Sequence, residues 1–143
     1  MAVILLLLAI MTVKAQCAPA LAHIRAELKE MTLIDGSAVG YAGIPGRFYL
    51  LYPYCVTYGD EETLADFMKD ENPVVAAMGA LCIWDKYPQR REEIMLRMKF
   101  DSRSITVMPG GCVGMTMTLK AIFEKKETEI DFIVPLRFQR KPR

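Results

Sequence analysis

His23 is the only histidine in the chain, and this narrows the available chemistry at once. A zinc site built from His and Cys draws three or four ligands together, usually at short spacing. Here the cysteines, Cys17, Cys55, Cys82 and Cys112, are spread widely, and neither a CxxC pair nor an HExxH motif is present. A Ser-His-Asp triad would have to combine His23 with Ser37, Ser102 or Ser104, and none of these serines sits in a GxSxG-type elbow. Acidic residues are plentiful, but they fall where a helix would expose them in any case. One segment hints at thiol chemistry: Pro109-Gly110-Gly111-Cys112-Val113-Gly114. If a helix starts there, its dipole would favour the Cys112 thiolate, with His23 as the sole histidine base. The plainer reading is a packed or disulfide-bonded cysteine after a glycine turn. No catalytic residue, metal ligand set or cofactor is therefore expected, and a thiol-dependent enzyme or redox protein using Cys112 is the alternative.

Recognition is better represented than catalysis. Leu33 to Arg47 reads as a loop carrying Gly36, Gly40, Gly43, Gly46 and Pro45. Its spacing is not GxGxxG and no Walker lysine follows, so it does not read as a phosphate cradle. The next stretch, Phe48 to Tyr58, is rich in tyrosine, and Tyr41 lies just upstream. Tyrosine offers a large contact area with a polar tip. Tyr41, Phe48, Tyr49, Tyr52 and Tyr54 are the candidate partner-binding residues, within a surface running from Gly40 to Tyr58. The competing reading is core packing of a helix bent at Pro53.

The chain has 143 residues, enough for one domain, and its 52% apolar content suffices for a packed core. Eighteen basic residues against 17 acidic ones give no clustered basic excess of the kind nucleic acid requires. The first fifteen residues stand apart. Ala2 to Val13 is almost unbroken apolar sequence, about half the ~20 residues of a membrane span. It matches a secretory h-region, although no Lys or Arg precedes it, and Val13-Lys14-Ala15 supplies small residues for cleavage after Ala15. Residues 1–15 are thus expected to be a signal peptide, and 16–143 an exported domain, periplasmic or extracellular, without a transmembrane segment. Lys14 and Gln16 break the lipobox pattern before Cys17. Cys82, among Leu81, Ile83 and Trp84, reads as a small core residue. One disulfide among the other three cysteines stays open.

Helical periodicity governs most of the remaining chain. Leu21, Ile24, Leu28 and Met31 mark an amphipathic helix over Ala18 to Met31. Asp60 is an N-cap candidate before Glu61 and Glu62, with Leu64, Phe67 and Met68 as the apolar stripe. Asn72 and Pro73 start a second helix, striped by Val74, Met78, Leu81 and Cys82, whose Gly79 would permit close approach of a neighbour. Val74 and Met78 are expected to face Leu64 and Phe67. A third helix follows Tyr87-Pro88, with Ile94, Met95 and Met98 apolar.

The segment from Leu64 to Met78, LADFMKDENPVVAAM, resembles a HEAT repeat: two antiparallel helices, an Asp and a Pro at the turn, and a Val entering the second helix. Ala76 stands where that family usually has Arg. The resemblance covers residues 60–86 and implies stacked helix pairs, since one pair cannot bury its apolar face alone.

Ile105 to Thr118 reads either as a hairpin turning at Pro109-Gly110-Gly111 or, as favoured here, as a loop followed by a helix from near Val113 to Lys126. Glu129 to Arg143 alternates apolar residues and ends in a basic tail. Arg137, Arg140, Lys141 and Arg143 could meet an anionic polymer, which makes an envelope protein a third reading. The expected fold is mainly α, with HEAT-like pairs and either a small hairpin or an irregular loop at 105–118. The expected role is non-catalytic: an exported binding or scaffolding module for a protein partner.

Overall fold

The structure, a computed structural model, describes residues 20–128. The expected leader, the cleavage site after Ala15, Cys17 and the basic C-terminal tail lie outside the described residues. The protein is mainly helical with a small three-stranded sheet.

The first helix, α1, occupies residues 20–29 and buries Leu21, Ile24 and Leu28, the stripe read from the sequence. Strand β1, Leu33–Asp35, follows where a loop was expected. It buries only Ile34 and pairs in parallel with β2, Leu33 opposite Thr106 and Ile34 opposite Val107. Three residues, two adjacent apolar ones and an Asp, carry no alternation for a reader to find; the strand is dictated by its distant partner.

Helix α2 spans Arg47–Tyr58 and continues through Pro53. Helix α3, Glu61–Met68, starts at Asp60, whose carboxylate accepts the Thr63 N–H at 2.9 Å. Helix α4, Pro73–Lys86, starts at Asn72, whose side-chain oxygen accepts from Val74 at 2.8 Å and Val75 at 3.4 Å. Both caps stand where the sequence placed them. The short turn between the two helices folds α4 back against α3. The helices approach closely at Gly79: a Cβ built there would lie 2.6 Å from the Leu64 carbonyl oxygen and 2.6 Å from the Met68 nitrogen. Met78 lies beside Cys82 of the same helix, Sδ to Sγ 3.8 Å. Every residue from Val74 to Trp84 is buried, so α4 is a central helix rather than an amphipathic one.

After a 3-10 turn at Pro88–Arg90, α5 runs over Arg91–Met98 and buries Ile94 and Met98. Strands β2, Ser104–Met108, and β3, Met115–Thr118, then form an antiparallel hairpin, Ile105 opposite Met117 and Val107 opposite Met115. The favoured loop-plus-helix reading of this segment is therefore corrected. Residues 115–118 extend the sheet, and α6 begins only at Leu119, continuing to Thr128. Gly111, at φ +71°, supplies the left-handed residue that the tight turn needs. Thr118 ends the strand and accepts from the Ala121 N–H at 3.2 Å, so one residue closes the hairpin and caps the helix. Leu119, Ile122 and Phe123 face the core, Phe123 tilted against Trp84 at 5.9 Å.

The turn between α3 and α4 is fixed by charge. Asp70 is buried, 8% exposed, and its Oδ2 accepts from Arg25 Nε at 2.9 Å and Nη2 at 2.6 Å. Lys29 Nζ lies 3.4 Å away, and the Asn72 N–H donates to Oδ1 at 3.0 Å. Arg103, held against Asp101, donates to the carbonyls of Asp70 at 2.6 Å and Glu71 at 3.0 Å. Helix α1 and the approach to β2 thus meet at this turn. Burial alone would raise the Asp70 carboxyl, but the Asn72 N–H, Arg25 and Lys29 outweigh it and hold it below the usual carboxylate range. A pKa lower in the folded than in the unfolded chain gives stability that is complete above the unfolded value, near pH 4. That stability is lost as pH falls through the folded value. Asp70→Asn is expected to cost about 1–3 kcal/mol at neutral pH, with the gap to the natural protein narrowing below about pH 4. Urea melts at neutral and acid pH check this; a gap that widens on acidification would refute it.

Candidate functional site

The loop between β1 and α2 is built from its glycines. Gly36 has no room for a side chain, since a Cβ would meet the Pro109 carbonyl oxygen at 2.1 Å. Val39 and Ile44 exchange backbone hydrogen bonds at 2.9 and 3.2 Å, which closes a tight turn. Gly40 and Gly43 take positive φ there, +71° and +59°. A bond from the Gly40 N–H to the Gly111 carbonyl, 2.8 Å, ties this turn to the β2–β3 turn. Tyr41 is held at the tip, fully exposed.

Asp35 then positions α2. From the end of β1 its two carboxylate oxygens accept the N–H groups of Arg47 at 2.9 Å and Phe48 at 2.6 Å. These are free donors at a helix start, where the dipole favours an anion. Arg47 also reaches Glu27 of α1 at 2.8 Å, and Glu27 in turn meets His23 at 2.9 Å. At the other end, Lys86 Nζ donates to the Gly59 carbonyl at 2.7 Å.

Held this way, α2 presents two different faces. Phe48, Tyr52 and Cys55 point into the core. The Tyr52 hydroxyl donates to the Leu81 carbonyl at 3.3 Å and bonds to Asp85; burial, with Cys82 and Asp85 nearby, pushes its pKa well up. The opposite face carries Leu50, Tyr54 and Tyr58 at four-residue steps, all exposed, and the Tyr54 and Tyr58 rings stack at 6.5 Å. No charged residue occurs between Phe48 and Tyr58.

Of the five candidate partner-binding residues, the structure places Tyr41 and Tyr54 in solvent and Tyr49 half-buried against the core. Phe48 and Tyr52 are corrected to core residues, 0% and 3% exposed, because the helix runs unbroken through Pro53 and turns them inward. Leu50 belongs to the exposed face and was missed, although the 50, 54, 58 spacing marks it.

Cys112 is exposed in the β2–β3 turn, ahead of α6, so no helix N-terminus stands behind its thiol. The helix-start reading of that segment is thereby corrected. Among the described residues, no group of three or more His, Cys, Asp or Glu side chains could hold a metal ion, and no helix is long and apolar enough to cross a membrane. An open groove of about 450 Å³ runs between α5 and α6, floored by Met95, Met98 and Phe123, with Lys99 and Lys120 among its lining. No family model and no curated protein matches the chain.

Proposed function

We propose that this chain is an exported, non-catalytic binding or scaffolding module of HEAT-like helix pairs, and that it holds a protein partner on the outer face of α2 and the adjoining glycine turn. The reading is carried by one observation: α2 is apolar on both sides. One side is used up by the core, and the other leaves Leu50, Tyr54 and Tyr58 in solvent. A helix that is apolar all round is normally covered. Contiguous exposed apolar surface rimmed by polar residues marks contact sites, and tyrosine is enriched among interface hot spots. Tyr41 adds a second aromatic anchor on a turn braced by Gly40 and Gly43.

The test compares the natural chain with a Tyr41→Ser, Tyr54→Ser, Tyr58→Ser variant, each used to capture partners from its own host and then to measure affinity. A hot-spot tyrosine costs about 2 kcal/mol or more on truncation, about 30-fold in Kd. The variant should lose the partner while its melting curve stays close to that of the parent, since these side chains are exposed. A partner held equally well by the variant would place the interface elsewhere.

A further inference from the structure

From the way α5 and α6 pack, we infer that the groove between them is where a second copy of this chain docks, in a two-fold dimer that sets the basic end of each groove against the acidic end of the other. Two sets of contacts run the helices in opposite directions. At the start of α5 the Arg91 guanidinium lies over the Trp84 ring at 5.5 Å, and the same ring meets Phe123 of α6 at 5.9 Å. Past the end of α5 the Asp101 N–H returns to the Met98 carbonyl at 3.0 Å. Just beyond, the Arg103 carbonyl accepts the first amide of α6, that of Leu119, at 3.0 Å. Lys99 and Lys120 therefore share one end of the groove, and Glu92 and Glu124 the other. All four side chains are exposed.

The apolar surface here is left open. Leu96, which lines the groove, is 63% exposed, and Phe100, next to Lys99, is 79% exposed. Large apolar side chains grouped beside a groove mark a contact surface. The charges select its occupant. An anionic ligand lying along the groove would meet two carboxylates, and a cationic one two ammonium groups. A second copy, related by a two-fold axis across the groove, avoids both conflicts. Each basic end then faces the other copy's acidic end, and Leu96 of each copy enters the other's open volume of about 450 Å³. Such an interface is isologous, so every contact is made twice. The charges fix orientation more than affinity, because exposed pairs are weak and Lys120 already leans on Glu124 at 3.7 Å. None of these residues belongs to the α2 face, so this dimer and the partner proposed above stand or fall separately.

Analytical ultracentrifugation of the full chain tests this. The mass should rise from one chain to two as concentration increases through the micromolar range. A Leu96→Ser, Phe100→Ser variant should associate at least about 30-fold more weakly. It should melt like the parent at dilutions where both are single chains, since the two side chains are exposed. The deciding experiment reverses the charges. Lys99→Glu with Lys120→Glu should stay a single chain, as should Glu92→Lys with Glu124→Lys, because each sets like charges against like. An equimolar mixture of these two variants should restore the dimer, as one copy of each, which a misfolded variant could not do. Association that survives both reversals runs through another surface and overturns the assignment. A parent that remains a single chain at every concentration also overturns it, and leaves the groove to residues 129–143 or to a different protein.

Discussion

Met78→Ala is expected to destabilise the protein by about 2–5 kcal/mol, Asn72→Ala by about 1–2 kcal/mol, and Glu71→Ala by nothing measurable. Met78 is fully buried in the central helix, beside Cys82, so truncation removes its transfer free energy and leaves a void that packed neighbours fill only partly. Asn72 satisfies two amides at the start of α4 and also donates to the Lys29 carbonyl at 3.2 Å, so its loss frays the helix start and loosens α1. Glu71 is exposed, and Arg103 uses its carbonyl rather than its side chain, so the substitution removes no contact. Urea unfolding of the three variants measures the order. If Met78→Ala were as silent as Glu71→Ala, α4 would not be the core helix described above.

Gly79→Ala is expected to destabilise by about 2 kcal/mol even though alanine is the better helix former. On an isolated helix the exchange would gain about 1 kcal/mol. Here the added methyl meets main-chain atoms of α3 on two sides, the Leu64 oxygen and the Met68 nitrogen, both at 2.6 Å, and the Phe67 Cβ at 2.7 Å. Backbone cannot rotate aside as a side chain can, so the two helices must separate along their contact. Overpacking of that kind costs about 3 kcal/mol at the upper end of its usual range, which outweighs the propensity gain. Thermal or urea melts decide the sign. A variant as stable as the parent would mean that α3 and α4 do not touch through Gly79.

What could be read from the chain was what is encoded locally. Asp60 and Asn72 are caps a few residues from the amides they serve, and the stripe Leu21, Ile24, Leu28 lies within one helix; each was legible. Strand β1 and the Asp35 cap were not. Ile34 becomes a strand residue only beside Val107, and Asp35 reaches α2 across an eleven-residue loop whose folding the glycines direct. The tyrosine cluster was located but not sorted. Its residues differ only in the side of α2 they occupy, and Pro53 suggested a break where the helix continues. The hairpin was legible as an alternative, because Ile105, Val107, Met115 and Met117 alternate. The apolar residues at 119, 122 and 123 tipped the reading toward a longer helix, which the register of β2 with β3 corrects.

The two clamps on α2, Asp35 at its first amides and Lys86 at the carbonyls beyond its last turn, have a thermodynamic consequence for anything that lands on its outer face. Association loses affinity wherever a loop or side chain must first be ordered, about 0.5–1.5 kcal/mol for each immobilised rotamer-rich side chain. On α2 the backbone has already been immobilised by folding. Tyr54 and Tyr58 each rotate about only two bonds and already lean on one another. A ligand meeting this face thus finds most of the ordering entropy spent before it arrives.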